Sequence, residues 1–363
     1  MEKASVKVII SGRSEVCQDM PKDEFPIQVQ IGQGDNEDDI RKYVTSEVVR
    51  AISDRRLLRG KVSDELKETI TRKLNDSAQG MFLWVKLQLQ TLCDEGIKLE
   101  KDVRIELEKN PTEIGQLYES IFERIIRSGQ SSREIAEYVL RWLLVARRPL
   151  AIGAILEAVA DAGEELKKSQ VLDVCQNLVI ADDGTETFRF AHLSVQEFLE
   201  KREEYDEGSL HSFAALRCLE ELSSPRAKTH HGETRPDPNA KSFYAYSVVN
   251  WVYHSHKVKD RSENFVEKLE SFLGDDDAFG NWNHDALESI ERQEYFSSVT
   301  DFKNPCLNGH KATQTFVIAK LGLNDAFEER SDLDWSYNNI KGEAPIHVAA
   351  FAGNLEIVKR LIE

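Results

Sequence analysis

In FRFAHLSVQEFL, residues 188–199, a histidine stands one step before a helix start. An imidazole in that place has two possible jobs: to touch a ligand arriving at the helix end, or to hydrogen-bond backbone and pack under the strands before it. For His192 the second is the expected one in this chain. The other chemistry-bearing residues fall in spacings that work against catalysis. His254 and His256 are two apart, so they face different ways on a helix, and no carboxylate or cysteine completes a metal set. Both are expected at the surface, as are His230 and His231, and no metal site is expected. The nucleophile pattern G-x-S-x-G is missed by Gly12-Arg13-Ser14-Glu15-Val16 at its last place. No phosphate loop of the form G-x-x-x-x-G-K-[ST] occurs. RRLLRGKVS supplies Gly60-Lys61 but lacks the upstream glycine and has Val62 where the magnesium hydroxyl belongs. Asp275-Asp276-Asp277 is expected to be a solvated turn. The chain is therefore expected not to be an enzyme, with no cofactor of its own.

Composition narrows the partners. The formal charge of −17 argues against nucleic acid and against anionic membrane surfaces, because binding to phosphates draws on clustered cations and none are clustered here. Five scattered cysteines, with no CxxC pair, suit neither a disulfide framework nor a zinc site. The longest apolar stretch, LLVARRPLAIGAIL, is broken by Arg147, Arg148 and Pro149, so no membrane span is expected. VKVII is too short for the apolar core of an export signal, so none is expected in residues 1–20. A cytoplasmic location is expected.

The elements that must position these residues are mostly helices. VKVII, residues 6–10, is a short β-branched run that reads as a buried strand. From Asp35 to about 205 the apolar spacing is helical. Ile40, Tyr43, Val44 and Val48 share one face, as do Leu66, Ile70 and Leu74, while GMFLWVKLQLQTL is apolar on most sides. Pro111 opens a helix whose stripe is Ile114, Leu117, Tyr118, Ile121 and Ile125. IAEYVLRWLL is followed by shorter helices near 152–161 and 169–176, then by LVIA and TFRF around an Asp-Gly turn, where glycine would supply positive φ. Three helices and a hairpin make a winged-helix unit. Ser194 and Glu197 read as a capping box for the next helix. ILEAVADAGEELKK is too acidic for a DNA-reading helix. Residues 223–242 read as an exposed loop and 243–304 as helical.

GEAPIHVAAFAGNLEIVKRLIE, residues 342–363, resembles an ankyrin repeat. Pro345 would open its first helix, His347 tie its loop, Ala349 and Ala350 permit close stacking, and Gly353 end the helix. TQTFVIAKLG, from Thr313, aligns without gaps to APIHVAAFAG, from Ala344, as a degenerate earlier copy. The chain is expected to stop inside a repeat array, or its helical segment to cap one side of that array.

In this order the motifs resemble the C-terminal portion of fungal-type NACHT–ankyrin proteins, a signal-transducing ATPase class related to innate immune receptors. VKVIISGRSE is similar to the strand and S-S-R-P-E that end the nucleotide-binding core, with Gly12 and Ser14 where serine and proline are usual. AQGMFLWVKLQLQTL resembles the helix of the adjoining domain, with Phe82 where related proteins place an adenine-contacting proline. RRPLAIGAILEAV and FAHLSVQEFL resemble the winged-helix segment. The resemblance implies a mainly α fold: a remnant of an α/β nucleotide-binding core over 1–34, a helical domain over 35–130, a winged-helix domain over 131–205, a helical linker region over 206–310 and ankyrin repeats over 311–363. It implies phosphate contacts for Arg13 and His192, which without a phosphate loop are expected to be idle here; ADP or ATP would enter only through a core upstream of Met1. The expected function is a non-enzymatic regulatory fragment whose repeats hold a protein partner, through exposed loop residues Asn338, Asn339 and Lys341. Two other readings are an ATP-dependent switch whose phosphate loop lies upstream, and a plain ankyrin scaffold.

Overall fold

The computed structural model describes residues 27, 29, 32–94, 96–109, 113–160, 165–228, 241–259, 261–291, 310–323, 333–338 and 342–363. VKVII, Arg13, Cys17, Pro111, His230, His231, Cys306, Asn339 and Lys341 lie outside them. The chain is mainly α-helical and divides into two compact units, residues 1–120 and 121–363.

The first unit packs α1 (Glu37–Ser53), α2 (Asp64–Ser77), α3 (Phe82–Leu92) and α4 (Glu100–Lys109) around the stripes that the spacing predicts. Ile40, Val44 and Val48 of α1 and Leu66, Ile70 and Leu74 of α2 are buried, and α3 adds Trp84, Val85, Leu87, Leu89 and Leu92. Each apolar side chain removed from water contributes about 1.5–3 kcal/mol, so these stripes, rather than helix propensity, hold the unit. Ser63 caps α2 by accepting the Leu66 N–H, and Glu100 at the start of α4 takes both the Ser63 N–H (2.7 Å) and its hydroxyl (3.0 Å). Helix α5 (Ile114–Ile126) follows, with Leu117, Tyr118, Ile121 and Ile125 buried.

In the second unit α6 (Gln130–Val145), α7 (Ile152–Val159) and α8 (Lys168–Val174) precede the hairpin β1 (Val179–Asp182) and β2 (Thr187–Phe190). The strands pair antiparallel, with Val179 opposite Phe190 and Asp182 opposite Thr187. Ala151 adds a single bridge to Thr187, completing a winged-helix arrangement. The hairpin turn differs from expectation. Gly184 does not carry the positive φ; Glu186 does, at 52°, while Asp182 accepts the N–H groups of Gly184 and Thr185 and fixes the turn by its side chain. The helix before the wing is α8, so ILEAVADAGEELKK is not that helix.

Helix α9 (Leu193–Leu199) leaves the hairpin, and α10 (Glu207–Leu222), α11 (Phe243–Lys257), α12 (Glu263–Gly274) and α13 (Asp276–Glu291) follow. The indole of Trp142 in α6 meets Phe213, Phe243 and Tyr246 at ring centroid distances of 5.1–5.6 Å. Arg217 of α10 donates to the Ala158 carbonyl at the end of α7, and Glu157 accepts the Phe243 N–H that opens α11. Behind them Trp251, Phe272, Phe279 and Trp282 form a second aromatic core. Asp275 is a helix cap, not a solvated turn. It accepts the Ala278 N–H and pairs with Lys228 at 2.5 Å; burial would raise its pKa, but those two donors hold it below the ordinary carboxylate value.

The last described elements are α14 (His310–Leu321), α15 (Pro345–Ala352) and α16 (Leu355–Ile362). Among the described residues no helix is long and apolar enough to cross a membrane.

Candidate functional site

His192 is the N-cap of α9, in extended backbone geometry. Its Nδ1 accepts the Ser194 N–H at 3.1 Å and lies 2.7 Å from the Ser194 hydroxyl. The cap is therefore the histidine, and Ser194, expected to be the cap, sits inside the first turn. Neutral His192 carries its proton on Nε2, since Nδ1 is the acceptor. The ring is exposed rather than packed under the strands, and Nε2 has no partner among the described residues. Nearby, Arg202 stacks on Phe122 (4.2 Å) and Phe198 (5.4 Å) while binding Glu204, which locks α9 against α5.

A second polar assembly escaped the sequence analysis. His254, expected at the surface, is fully buried on α11. Its Nδ1 lies 2.8 Å from Nδ1 of His211 on α10, and its Nε2 lies 2.8 Å from the Tyr246 hydroxyl. Tyr246 in turn accepts the backbone N–H of Arg147 at 3.3 Å. One direction satisfies every atom: Arg147 N–H to Tyr246, Tyr246 O–H to His254 Nε2, and His254 Nδ1–H to His211. Desolvation, with the neighbouring His211 and Arg147, pushes the His254 pKa down to about 3. Burial lowers His211 as well, although Glu207, 3.9 Å from its Nε2, opposes this. Burial pushes the Tyr246 hydroxyl up. All three groups are neutral at ordinary pH, so the chain relays hydrogen-bond polarity rather than charge. A signal was present in the sequence: Tyr246, Asn250 and His254 repeat every four residues, which puts three polar groups on one helix face. His256 is exposed.

Among the described residues the thiols are poor nucleophiles. Burial raises Cys175, pushes Cys218 up to about 12 and pushes Cys93 up to about 11.

At the C-terminus, Pro345 is buried at the first turn of α15, and His347 Nδ1 accepts the Ala344 N–H at 2.9 Å, tying the loop to the helix. Gly353 ends α15 with φ 78°. Ala349 is buried, but Ala350, expected to serve close stacking, is exposed. Helix α14 ends in the same way at Gly322, φ 65°. Its last carbonyls are answered by two side chains. Asn354 donates to Ala319 and Lys320 at 2.7 and 3.0 Å, and Arg261 donates to Leu321 and Gly322. Asn338 is exposed.

These geometries can be set beside known proteins. Residues 123–214 match the family model described as GPI inositol-deacylase, winged helix domain. The matched segment begins in α5 and ends in α10, so it takes in the whole winged-helix arrangement, the His192 corner and His211. Vegetative incompatibility protein HET-E-1 of Podospora anserina is 27% identical over 132 residues, which is 35% of this chain and 9% of that protein. No solved structure matches this chain. The winged-helix domain thus has the hairpin, the cap histidine and the α10 histidine in one continuous unit.

Proposed function

We propose that the chain is a regulatory and protein-interaction part of a NACHT-type signalling protein and has no catalytic activity of its own. The observation that carries this reading is the winged-helix match over residues 123–214, in a chain that also resembles that class in the order of its other motifs. Similarity to the vegetative incompatibility protein HET-E-1 supports it. The winged-helix domain presents an acidic turn, Asp182, Asp183 and Glu186, and the cation nearest to it in α8, Lys168, is paired with Asp183 at 2.5 Å. Asp182 is likewise paired with Arg189 at 3.2 Å, so these cations are committed to the wing's own acids and draw phosphate backbones weakly, which favours protein over nucleic acid as the partner. The α14–α16 segment, with its left-handed glycine stops and tied loop, would be the ankyrin-like surface that holds this partner in the cytoplasm.

Calorimetric titration with ADP and ATP, with and without magnesium, tests the reading. No heat of binding is expected, and tight magnesium-dependent binding would overturn it. One observation favours a second reading, an ATP-dependent switch completed by a nucleotide core elsewhere in a longer protein. His192 exposes an unengaged Nε2 at the start of a helix, where a phosphate could be met. Adding such a core in trans would then create nucleotide binding that His192→Ala abolishes.

A further inference from the structure

We infer that a cavity between α6 and the start of α10 is a binding site for a small organic oxyanion, a carboxylate or phosphate carried on an apolar body. The cavity holds about 460 Å³, enough for a small molecule, and lies wholly within the second unit. Arg141 lines it. The guanidinium carbon stands 5.5 Å from the Phe213 ring centre and 5.8 Å from that of Tyr205, so two aromatic faces hold the group in place. The head makes no hydrogen bond or close ion pair among the described residues, although Glu204 lies near enough to feel its charge. Other arginines of the same region are engaged: Arg133 with Glu137, Arg189 with Asp182, Arg202 with Glu204, and Arg217 with Glu220 and the Ala158 carbonyl. Arg141 is half-buried and has no hydrogen bond or ion pair among the described residues. A guanidinium offers five donors in a planar fork that matches a carboxylate or phosphate, and leaving them partly desolvated is costly.

The rest of the lining agrees. Lys259 brings a second cation, which acts on Asp206 through space but makes no close ion pair among the described residues, and Ser212 brings a hydroxyl with no hydrogen-bond partner there. Asp206 is the one acid in the wall, and its carboxylate is already occupied. It accepts the Gly208 N–H at 2.8 Å, the Ser209 N–H at 3.2 Å and the Ser209 hydroxyl. Two of the first α10 amide groups are thereby taken, so the anion is met chiefly by side chains. Phe213 and Leu216 give the wall an apolar stretch beside the cations, which suits an anion attached to an aliphatic or aromatic body rather than a bare ion.

Titration of the full chain, followed by amide chemical shifts, tests this with benzoate, inorganic phosphate and, as the neutral counterpart, benzyl alcohol. Saturable millimolar binding of benzoate is expected, with shifts centred on Arg141, Ser212 and Phe213, weaker binding of inorganic phosphate and little response to benzyl alcohol; phosphate binding more tightly than benzoate would overturn the apolar-body reading. Arg141→Gln should weaken binding at least ~10-fold, as loss of a charged two-point contact does. If Arg141→Gln does not fold, Lys259→Gln, a change at an exposed position, decides with a several-fold loss. Benzyl alcohol binding as well as benzoate, affinity unchanged in a folded Arg141→Gln or in Lys259→Gln, or no saturation by either anion would each overturn the proposal.

Discussion

The Nδ1 atoms of His211 and His254 lie 2.8 Å apart, inside the helical layer that backs the winged-helix domain. At that distance one ring donates and the other accepts, so at most one proton can sit between them. The pKa of His254 is pushed down to about 3 from 6.5, and that of His211 also falls. The folded state therefore resists protons that the unfolded chain accepts. The sign follows: stability is fully present above pH ~6.5 and falls as the solution becomes more acid, levelling only near the folded value. His254 alone should remove about 2 kcal/mol between pH ~6.5 and ~5, at ~1.4 kcal/mol per unit of pH. Urea midpoints measured across that range check it. His254→Gln lowers stability at neutral pH but should flatten the slope; an unchanged slope would show that other groups set the acid sensitivity.

Gly322 and Asn354 make a second coupled pair. A Cβ at Gly322 would stand 2.5 Å from the Asn354 side-chain oxygen, and its φ of 65° already disfavours a side chain. Gly322→Ala should cost ~1–3 kcal/mol through backbone strain, and the clash would pull Asn354 off the α14 carbonyls. Asn354→Ala, which leaves those carbonyls without their amide donor, should cost ~1–3 kcal/mol. Both changes should speed hydrogen exchange in α14 and α15 while leaving α6–α9 as they were. Uniform loss across the whole chain would contradict this local reading.

In the first unit the Ser63–Glu100 contact ties the starts of two helices together. Ser63→Ala removes the α2 cap and one donor to Glu100, with an expected loss of ~1 kcal/mol. Hydrogen bonds from Ser63 hold the Glu100 carboxyl below its ordinary value. Its contribution is thus present at neutral pH and fades as acid protonates the folded form. In thermal unfolding at neutral pH and below pH ~4.5, Glu100→Gln should converge with the parent as pH falls, whereas Ser63→Ala keeps its pH-independent cap deficit.

The helices were legible because burial repeats at three and four residues. The Ile40–Val44–Val48 and Leu66–Ile70–Leu74 stripes needed only their own spacing to reveal the core. The polar chain was not, because its members come from different helices: His211 and His254 are 43 positions apart, and nothing local to either announces the other. Local backbone geometry was also hidden. An Asp-Gly pair signals a turn, yet the left-handed residue is Glu186, because the Asp182 side chain captures the two preceding N–H groups and moves the bend along. Pro345 and Gly353 were readable for the opposite reason, since fixed φ and left-handed φ are properties of single residues.

The His192 corner yields the sharpest separation between a structural and a ligand-contacting imidazole. As the cap of α9, the ring matters for the acceptor at Nδ1, a job that asparagine performs as well. His192→Ala should therefore cost ~1 kcal/mol, and His192→Asn should restore most of it. A phosphate contact would instead run through Nε2, which asparagine cannot place at the same reach. Chemical denaturation of the two variants gives the cap effect directly. Repeating it with saturating ADP asks about Nε2: in this chain the nucleotide should stabilise neither variant nor the parent. Protection of the parent by ADP that both variants lose would transfer the role of His192 from holding a helix to holding a phosphate.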